Sequence, residues 1–586
     1  MSLNIAISSA VSSLLAIEKQ LAVASANVSN ATVNGYTAKS VTLETQVTNG
    51  GGSGVDVAAI TSSVNKYLLK DILSATTAAG ADSTTSDYYT SLQNLLGEVS
   101  DSTSGSDLSS QLTKLSTALQ NLEATPDDVS LKNQVVNDLD DLAANLRSTS
   151  NGIQDLRTQA DQEIGDKVTE VNSALDNIND LNKQIALAKS RGESTADLED
   201  QRNTALQTIA GDMNVSSYTD SNDQLHIFTA GNQALLNGTV VNHLSHSAAS
   251  SISDGVVYSG SSGTGISGIY VAGTDITSQI TGGNIGALID MRDNTLVKAQ
   301  DELDNLASGL SSAVNAVTNQ GSASPPPSSL TGTTTVAATD AISPASGTTL
   351  RVALTDSSGK ITSYQDVDLS SATSVQDVLD SLNAISGVTA SITDGHLAIS
   401  NSSGGGVAIS TLSGTVGGTD VSSYFGLNDV VTGGSSAQTF SVRSDLLSNS
   451  SLLSTGKLSQ SATLTVGDTA IGASDASIVT SLYNTLTSSN NFAAAGWLGS
   501  TSTSFSSYAA NLISDIATRS SNATSDATAS AASLNTLTTS FSNQSGVNTD
   551  EQTALLSQLQ SYYAASAQVI STANAMFTSL INAVAS

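Results

Sequence analysis

The sequence predicts a multidomain protein that combines α-helical coiled-coil termini and a helical bundle domain with inserted β-rich and α+β domains. Apolar residues recur with helical spacing near both ends, and the spacing changes to strand-like alternation after Gly211. A chain of 586 residues is also long enough to form several domains, each with its own core. We therefore expect a nested arrangement, in which helical segments at both ends enclose the β-rich segments.

Both termini carry an apolar seam with an average spacing of about 3.5 residues, the repeat that turns one stripe of a helix toward a partner helix. The every-seventh rows consist of Ile7, Leu14, Leu21 and Val28 near the start, and of Leu556, Tyr563, Ile570, Phe577 and Val584 near the end. We expect the helix of residues 1–45 to pair with that of residues 545–586, and both to contact copies of themselves. These nine residues are therefore candidate subunit-interface residues.

Further helices are expected across residues 46–215, as one helical domain that residues 480–544 complete. Thr125 is placed to cap a long helix that ends near Arg191. A second helix follows up to Ile209, which predicts an antiparallel helical hairpin.

The middle of the chain is expected to be rich in β-structure. Alternating apolar residues in residues 216–330 predict short strands followed by one helix, and residues 335–435 are predicted to form an inserted α+β domain. The strands predicted in this domain are 350–354, 361–367, 390–393 and 397–400. Ser374 and Asp377 have the spacing of a capping box for a short helix between them. Residues 436–544 are expected to return to the helical domain.

The composition argues against several classes of function. A net charge of −32, from 20 basic and 52 acidic residues, disfavours nucleic acids and anionic membranes, which are themselves negatively charged. The absence of cysteine excludes disulfides, thiolate catalysis and cysteine-ligated metals. No apolar run approaches the roughly 18 residues of a membrane span, and the first residues do not form a cleavable secretion signal. We expect no nucleic acid and no membrane partner, and any secretion would use a route that needs no such signal.

Residues that could carry chemistry are few. His243 and His246 are three residues apart, but no carboxylate has ligand spacing to them, so ordinary surface histidines are expected. Gly456-Lys457 lacks the other residues of a phosphate-binding loop. The glycine-rich segment 260–268 lacks the Asp-bearing repeat of calcium-binding β-rolls. We predict no catalytic residue, no metal site and no cofactor, and a protein that is not an enzyme.

A motif at the end of the first helix resembles the N-terminal signature of bacterial flagellar rod, hook and hook-associated proteins. Its matching residues are Asn27, Asn30, Gly35 and Tyr36, while Asn34 replaces the usual proline. Asn-Gly is itself a strong turn former, so the turn is expected to persist.

The other end of the chain agrees with this resemblance. Residues 545–551, which include Asn548 and Asp550, resemble the C-terminal signature of the same class. Two internal segments, 198–203 and 283–293, resemble segments of the hook-associated protein 1 family, whose members form the junction between hook and filament.

This resemblance implies a structural role. The protein would be secreted through the hollow flagellum and would assemble as a ring of identical subunits on the hook, and filament growth would require that ring. The implied partners are other copies of the chain, the hook protein, a second junction protein, and a cytoplasmic export chaperone bound to the C-terminal helix. Two alternatives remain open: another axial protein, such as hook protein or flagellin, or a secreted adhesin or enzyme whose activity lies in residues 335–435.

Overall fold

The computed structural model describes residues 3–48, 51–62, 64–98, 105–260 and 265–585, so the outermost residues of both expected terminal domains (1–2 and 586) lie outside the described residues. The helices are α1 (Leu3–Asn30), α2 (Lys66–Leu96), α3 (Leu108–Ala124), α4 (Val129–Ser190), α5 (Ala196–Asp212), α6 (Gly283–Asp290), α7 (Leu296–Thr318), α8 (Val375–Asn383), α9 (Val421–Phe425), α10 (Ser444–Ser448), α11 (Ser477–Thr487), α12 (Phe505–Ser545) and α13 (Thr549–Ala585). The strands are β1 (Lys39–Thr48), β2 (Gly51–Ser62), β3 (Val215–Thr219), β4 (Leu225–Thr229), β5 (Ala234–Asn237), β6 (Val240–Val241), β7 (Leu244–Ser245), β8 (Tyr270–Val271), β9 (Thr274–Asp275), β10 (Ser329–Thr335), β11 (Thr349–Thr355), β12 (Ile361–Asp368), β13 (Val388–Thr393), β14 (His396–Asn401), β15 (Val407–Ser413), β16 (Val431–Thr432), β17 (Ser441–Val442), β18 (Asn490–Phe492) and β19 (Thr501–Thr503).

The helices α2–α7, α11 and α12 pack into one helical domain around a shared core. Its longest element, α4, has 62 residues and spans about 90 Å at about 1.5 Å per residue. The expected hairpin of α4 and α5 is present, but α4 begins at a different cap. The Asp128 carboxylate accepts hydrogen bonds from the N–H groups of Ser130 and Leu131, whereas the N–H of Thr125 is already bonded within the last turn of α3.

The strands after α5 lie against the helical domain. The sheets β3–β4–β5–β6 and β7–β8–β9 contribute Ile227, Leu236 and Val271, all fully buried, to the same core as the helices. The expected helix that follows consists of α6, a π-helical turn at Met291–Thr295, and α7. Residues 216–330 therefore share the core of the helical domain.

The inserted domain has a core of its own. The sheets β10–β14–β13 and β12–β11–β15 share this core with the apolar face of α8, and β11 to β14 correspond to the four predicted strands. Ser374 and Asp377 form the predicted capping box. The strand β10 was not predicted. Leu330 is its one large apolar residue and the others are Ser, Thr and Gly, so it lacks an apolar alternation.

Two sets of contacts close the nested segments of the chain. The N–H of Ala38, just before β1, donates to the carbonyl of Ser545 at the end of α12 (2.7 Å). Near the end of α7, the Asn315 side chain donates to the carbonyl of Val431 (2.8 Å) and accepts from the N–H of Val430 (3.0 Å). The segment that leads out of each domain and the segment that leads back into it therefore lie next to each other.

An antiparallel hairpin, β1–β2, follows α1 and packs against it. The expected domain boundary at 45/46 falls inside β1. The pairing of Leu43 with Val57 and of Val41 with Ile60 gives the hairpin one apolar face. The hairpin thus belongs structurally with α1.

Within the described residues, α1 is the one helix whose length and composition would allow it to cross a membrane, over Asn4–Asn30. The expectation of no spanning segment was based on uninterrupted apolar runs, whereas serines are interspersed in this helix. In the structure, α1 packs against α13 and the β1–β2 hairpin.

Candidate functional site

The two terminal helices and the β1–β2 hairpin form one structural unit, which we call the terminal unit (residues 3–62 and 549–585). The seam of α1 faces inward in this unit. Ala10, Ile17 and Ala24 are buried along it. The predicted row of α1 is half-buried at each position, namely Ile7, Leu14, Leu21 and Val28.

The seam of α13 is covered over only part of its length. Leu559 and Ala573 are buried, and the predicted positions Leu556 and Ile570 are half-buried. The remaining predicted positions are exposed, with fractions of 38% for Tyr563, 40% for Phe577 and 84% for Val584. A single chain therefore partly covers Leu556 and Ile570 of the predicted row and leaves its other three positions exposed.

A second apolar row of α13 is exposed throughout the single chain. It consists of Leu555, Tyr562, Val569 and Met576. The only charged residues of α13 are Asp550 and Glu551, both in its first turn. Most of the large apolar side chains that are exposed among the described residues lie on the terminal unit. A concentration of this kind marks a surface that contacts another protein.

The signature residue Asn27 connects three segments of the terminal unit. Its side chain is fully buried. The amide Nδ2 donates to the Lys39 carbonyl (2.9 Å) and to Gln552 Oε1 of α13 (3.0 Å). Its Oδ1 accepts from the N–H of Lys39 and from the hydroxyl of Tyr36, both at 3.0 Å. Asn27 therefore ties the end of α1 to the start of the hairpin and to α13.

The signature residue Gly35 has a φ of +79°, which favours glycine. A Cβ atom at this position would lie 2.6 Å from Thr204 Oγ1 of α5, so the turn also fits closely against the helical domain. Next to it, burial raises the pKa of Tyr36, and the negative charges of Asp197 and Asp200 raise it further.

The remaining signature residues shape helix ends. Asn30 donates to the carbonyl of Ala26 (3.0 Å) in the last turn of α1. Asn548 Oδ1 accepts from the N–H groups of Asp550 (3.0 Å) and Glu551 (3.3 Å), which is the geometry of a helix N-cap. Asp550 places negative charge at the positive end of the α13 dipole. All six signature residues thus have structural roles.

Sequence reasoning missed the most heavily bonded contact of the site. Asp200 of α5 accepts hydrogen bonds from the N–H (2.9 Å) and the hydroxyl (2.7 Å) of Thr37. It also pairs with the Lys39 ammonium, and both side chains of this ion pair are buried. Asp200 lies in the 198–203 segment that the family resemblance selected, which was the available signal for it.

The histidines differ from expectation in one respect. His243 is exposed and lies 2.9 Å from Asp176, as expected for a surface residue. The side chain of His246 is buried instead, with Nε2 3.2 Å from Asp161 Oδ1 of α4, because the chain after the short strand β7 turns it toward that helix. No group of three or more His, Asp or Glu side chains with metal-binding geometry occurs among the described residues.

Two family models match the chain. The model described as the flagellar hook-associated protein FlgK helical domain matches residues 89–326. The model described as the flagellar basal body rod FlgEFG protein C-terminal matches residues 538–583, which include nearly all of α13. The helical domain and the terminal unit therefore define a structural protein of the bacterial flagellar axis.

Known proteins narrow this class further. Flagellar hook-associated protein 1 of Escherichia coli (strain K12) is 26% identical over 603 residues, which cover 98% of this chain and 99% of the relative. The protein of the same name from Salmonella typhimurium is 25% identical over 327 residues, or 54% of this chain and 56% of the relative. Over almost its whole length the chain is therefore similar to flagellar hook-associated protein 1.

A solved structure has the same fold. The flagellar hook junction protein FlgK from Burkholderia pseudomallei superimposes with a TM-score of 0.50 at 18% identity, covering 80% of this chain and 99% of that structure.

Proposed function

We propose that the chain forms the junction between the hook and the filament of the flagellum, and that filament assembly requires it. The observation that carries this proposal is the uncovered apolar surface of α13, a helix without charge after Glu551. Burial of apolar surface is favourable by about 25 cal/mol per Å². Contacts with neighbouring copies in a ring would supply that burial.

The nine seam residues divide into two groups in this proposal. The first group holds α1 and α13 together within one subunit and consists of Ile7, Leu14, Leu21, Val28, Leu556 and Ile570. The second group, Tyr563, Phe577 and Val584, is exposed in the single chain and contacts the neighbouring subunit.

The proposal includes further partners and a location. The hook protein would lie on one side of the ring and a second junction protein on the other. A cytoplasmic export chaperone would cover α13 before the chain is secreted through the flagellum. The net charge of −32 supports the absence of nucleic acid and membrane partners, and no enzymatic activity is proposed.

Substitution in the seam tests the assembly role. Leu14→Asp or Ile570→Asp would place a charge in the α1–α13 contact, and we expect either variant to abolish filament formation and motility. Ser525→Asp, on an exposed position of α12, is the matched control. Fluorescence of Trp497, the single tryptophan, should remain unchanged because it reports the helical domain. Normal motility of both seam variants would refute the proposal.

Immunogold electron microscopy with antibodies against the inserted domain tests the location. We expect label at one position between hook and filament. Label along the hook or filament would instead identify a bulk axial subunit. Label absent from the flagellum would favour a secreted adhesin or enzyme.

A further inference from the structure

The terminal unit meets the helical domain at a small joint, where polar groups are buried. Lys39 lies at its centre, and its side chain is 4% exposed. Its ammonium pairs with Asp200 of α5, donates to the carbonyl of Thr37 (2.9 Å), and lies 4.2 Å from the ring centroid of Tyr36. A buried ammonium group is stable only when its partners are in place, so this joint has one well-defined geometry.

The backbone of Lys39 is fixed independently of its side chain. Both the N–H and the carbonyl of Lys39 bond to the Asn27 amide, at 3.0 and 2.9 Å. The Asn27 amide also donates to Gln552 of α13. A continuous series of polar contacts therefore runs from Gln552 through Asn27 and Lys39 to Asp200, and joins α13, α1, the hairpin and α5.

The far end of this series is anchored inside the helical domain. Two residues beyond Asp200, Arg202 donates to Asn182 Oδ1 of α4 (3.0 Å). The same amide group of Asn182 bonds both backbone groups of Leu225 on β4, each at 3.0 Å. The helix that carries Asp200 is thus bonded to α4 and β4 of the helical domain, whereas Lys39 belongs to the terminal unit.

We propose that the Lys39–Asp200 ion pair is a lock that fixes the terminal unit in one orientation on the helical domain, and that it closes fully only when α13 is docked on α1. The coupling follows from Asn27, because one amide group holds both Gln552 and the backbone of Lys39. Lys39 and Asp200 are positioning residues in this proposal. It concerns contacts within one chain and does not depend on the junction role.

Hydrogen exchange of the full-length chain tests the lock. Asp200→Asn removes the charge but keeps an acceptor for Thr37, and we expect at least tenfold faster exchange over residues 24–48. Exchange over α4 should stay unchanged. Asp197→Asn is the matched control. Asp197 lies on α5, as Asp200 does, and its carboxylate is 3.6 Å from Lys39 Nζ, but its side chain is 72% exposed. We expect this control to exchange as the wild type does.

Two further variants separate a lock from a general loss of stability. The double variant Lys39→Met with Asp200→Leu replaces the ion pair by apolar contact and should restore most of the protection. Gln552→Ala should also speed exchange over residues 24–48, and its effect should be non-additive with Asp200→Asn.

Several outcomes would overturn the proposal. The proposal would be wrong if Asp200→Asn exchanged at the wild-type rate, or if Asp197→Asn lost as much protection as Asp200→Asn. It would also be wrong if the amides of residues 24–48 were unprotected in the wild type, or if Asp200→Asn accelerated exchange throughout α4. Strict additivity of Gln552→Ala and Asp200→Asn would overturn the coupling to α13.

Discussion

Glu302 of α7 accepts a hydrogen bond from the backbone N–H of Trp497 at 2.7 Å, and a second from the N–H of Leu498 at 3.1 Å. The carboxylate is fully buried, both bonds go to Oε1, and no described residue bonds its second oxygen, Oε2. Burial raises the pKa of Glu302 to about 7, against an ordinary value of 4.5, and the two N–H groups only partly offset this effect. The backbone after β18 is thus held by a carboxyl group whose ionisation is unfavourable in the folded protein.

Glu302→Gln should raise stability at alkaline pH and leave it unchanged at pH 4. The folded state binds the Glu302 proton more tightly, so this contribution to stability is fully present below pH 4.5 and is lost as pH rises through about 7. The pKa difference corresponds to at most about 3 to 4 kcal/mol, at about 1.4 kcal/mol per unit. Thermal unfolding followed by Trp497 fluorescence between pH 4 and 8 measures it.

The exposed residue Glu193 provides the control for this prediction. Glu193→Gln makes the same change of net charge, so it corrects for general charge repulsion in an acidic chain. A Glu302→Gln variant that parallels Glu193→Gln across this pH range would contradict the prediction.

Asp161→Ala should destabilise the helical domain by about 3 kcal/mol, because it leaves the buried Arg292 with Asp293 as its remaining charged partner.

Burial alone would raise the pKa of Asp161, but hydrogen bonds from His246, the Ala249 N–H and Arg292 lower this pKa below its ordinary value. Its stabilisation is therefore present above about pH 4 and is lost as pH falls through the lowered pKa.

Urea unfolding of the Asp161 variant measures this effect. Asp176→Ala, which removes the exposed partner of His243, should change stability by less than about 0.5 kcal/mol. Equal losses in the two variants would show that the buried pair adds nothing beyond a surface pair.

Gly35→Ala should weaken the attachment of the terminal unit by about 2 kcal/mol. The cost combines the strain of positive φ with a contact between the new Cβ and Thr204. Gly255→Ala is the matched control, since its φ is +74° but its Cβ would meet no atom of the described residues within 4 Å. Limited proteolysis of the termini should be faster in Gly35→Ala than in Gly255→Ala, and equal rates in the two variants would contradict the prediction.

Ser374→Ala should destabilise α8 by about 1 kcal/mol, since it removes one side of the capping box. Exchange of the α8 amides in the full chain measures this loss. Ser381→Ala serves as the control, because Ser381 lies within α8, bonds back to the Asp377 carbonyl (2.7 Å), and should be neutral or slightly stabilising as alanine. Loss of protection in both variants would contradict the assignment to the cap.

Local patterns were sufficient to predict much of the fold. The seam of α1 faces inward as its spacing indicated, and Ser374 with Asp377 caps α8 because both signals lie within a few residues. The predicted cap at Thr125 was wrong by three residues, since Pro126 and two aspartates offered competing starts and Asp128 has the extended backbone of a cap.

Long-range contacts could not be predicted in the same way. The approach of Lys39 to Asp200 joins residues 161 positions apart, and no local spacing encodes it. The burial of His246 likewise depends on how β7 crosses α4. The β1–β2 hairpin was missed because its glycines interrupt the alternation that marks a strand.

The two closures, Ala38 with Ser545 and Asn315 with Val430 and Val431, have an architectural consequence. At each closure, the two chain segments that connect neighbouring domains lie side by side. A larger or smaller inserted domain would therefore leave the end of α7 and the segment at Val430 next to each other. Outer domains of different size are thus compatible with one arrangement of the terminal helices within the chain.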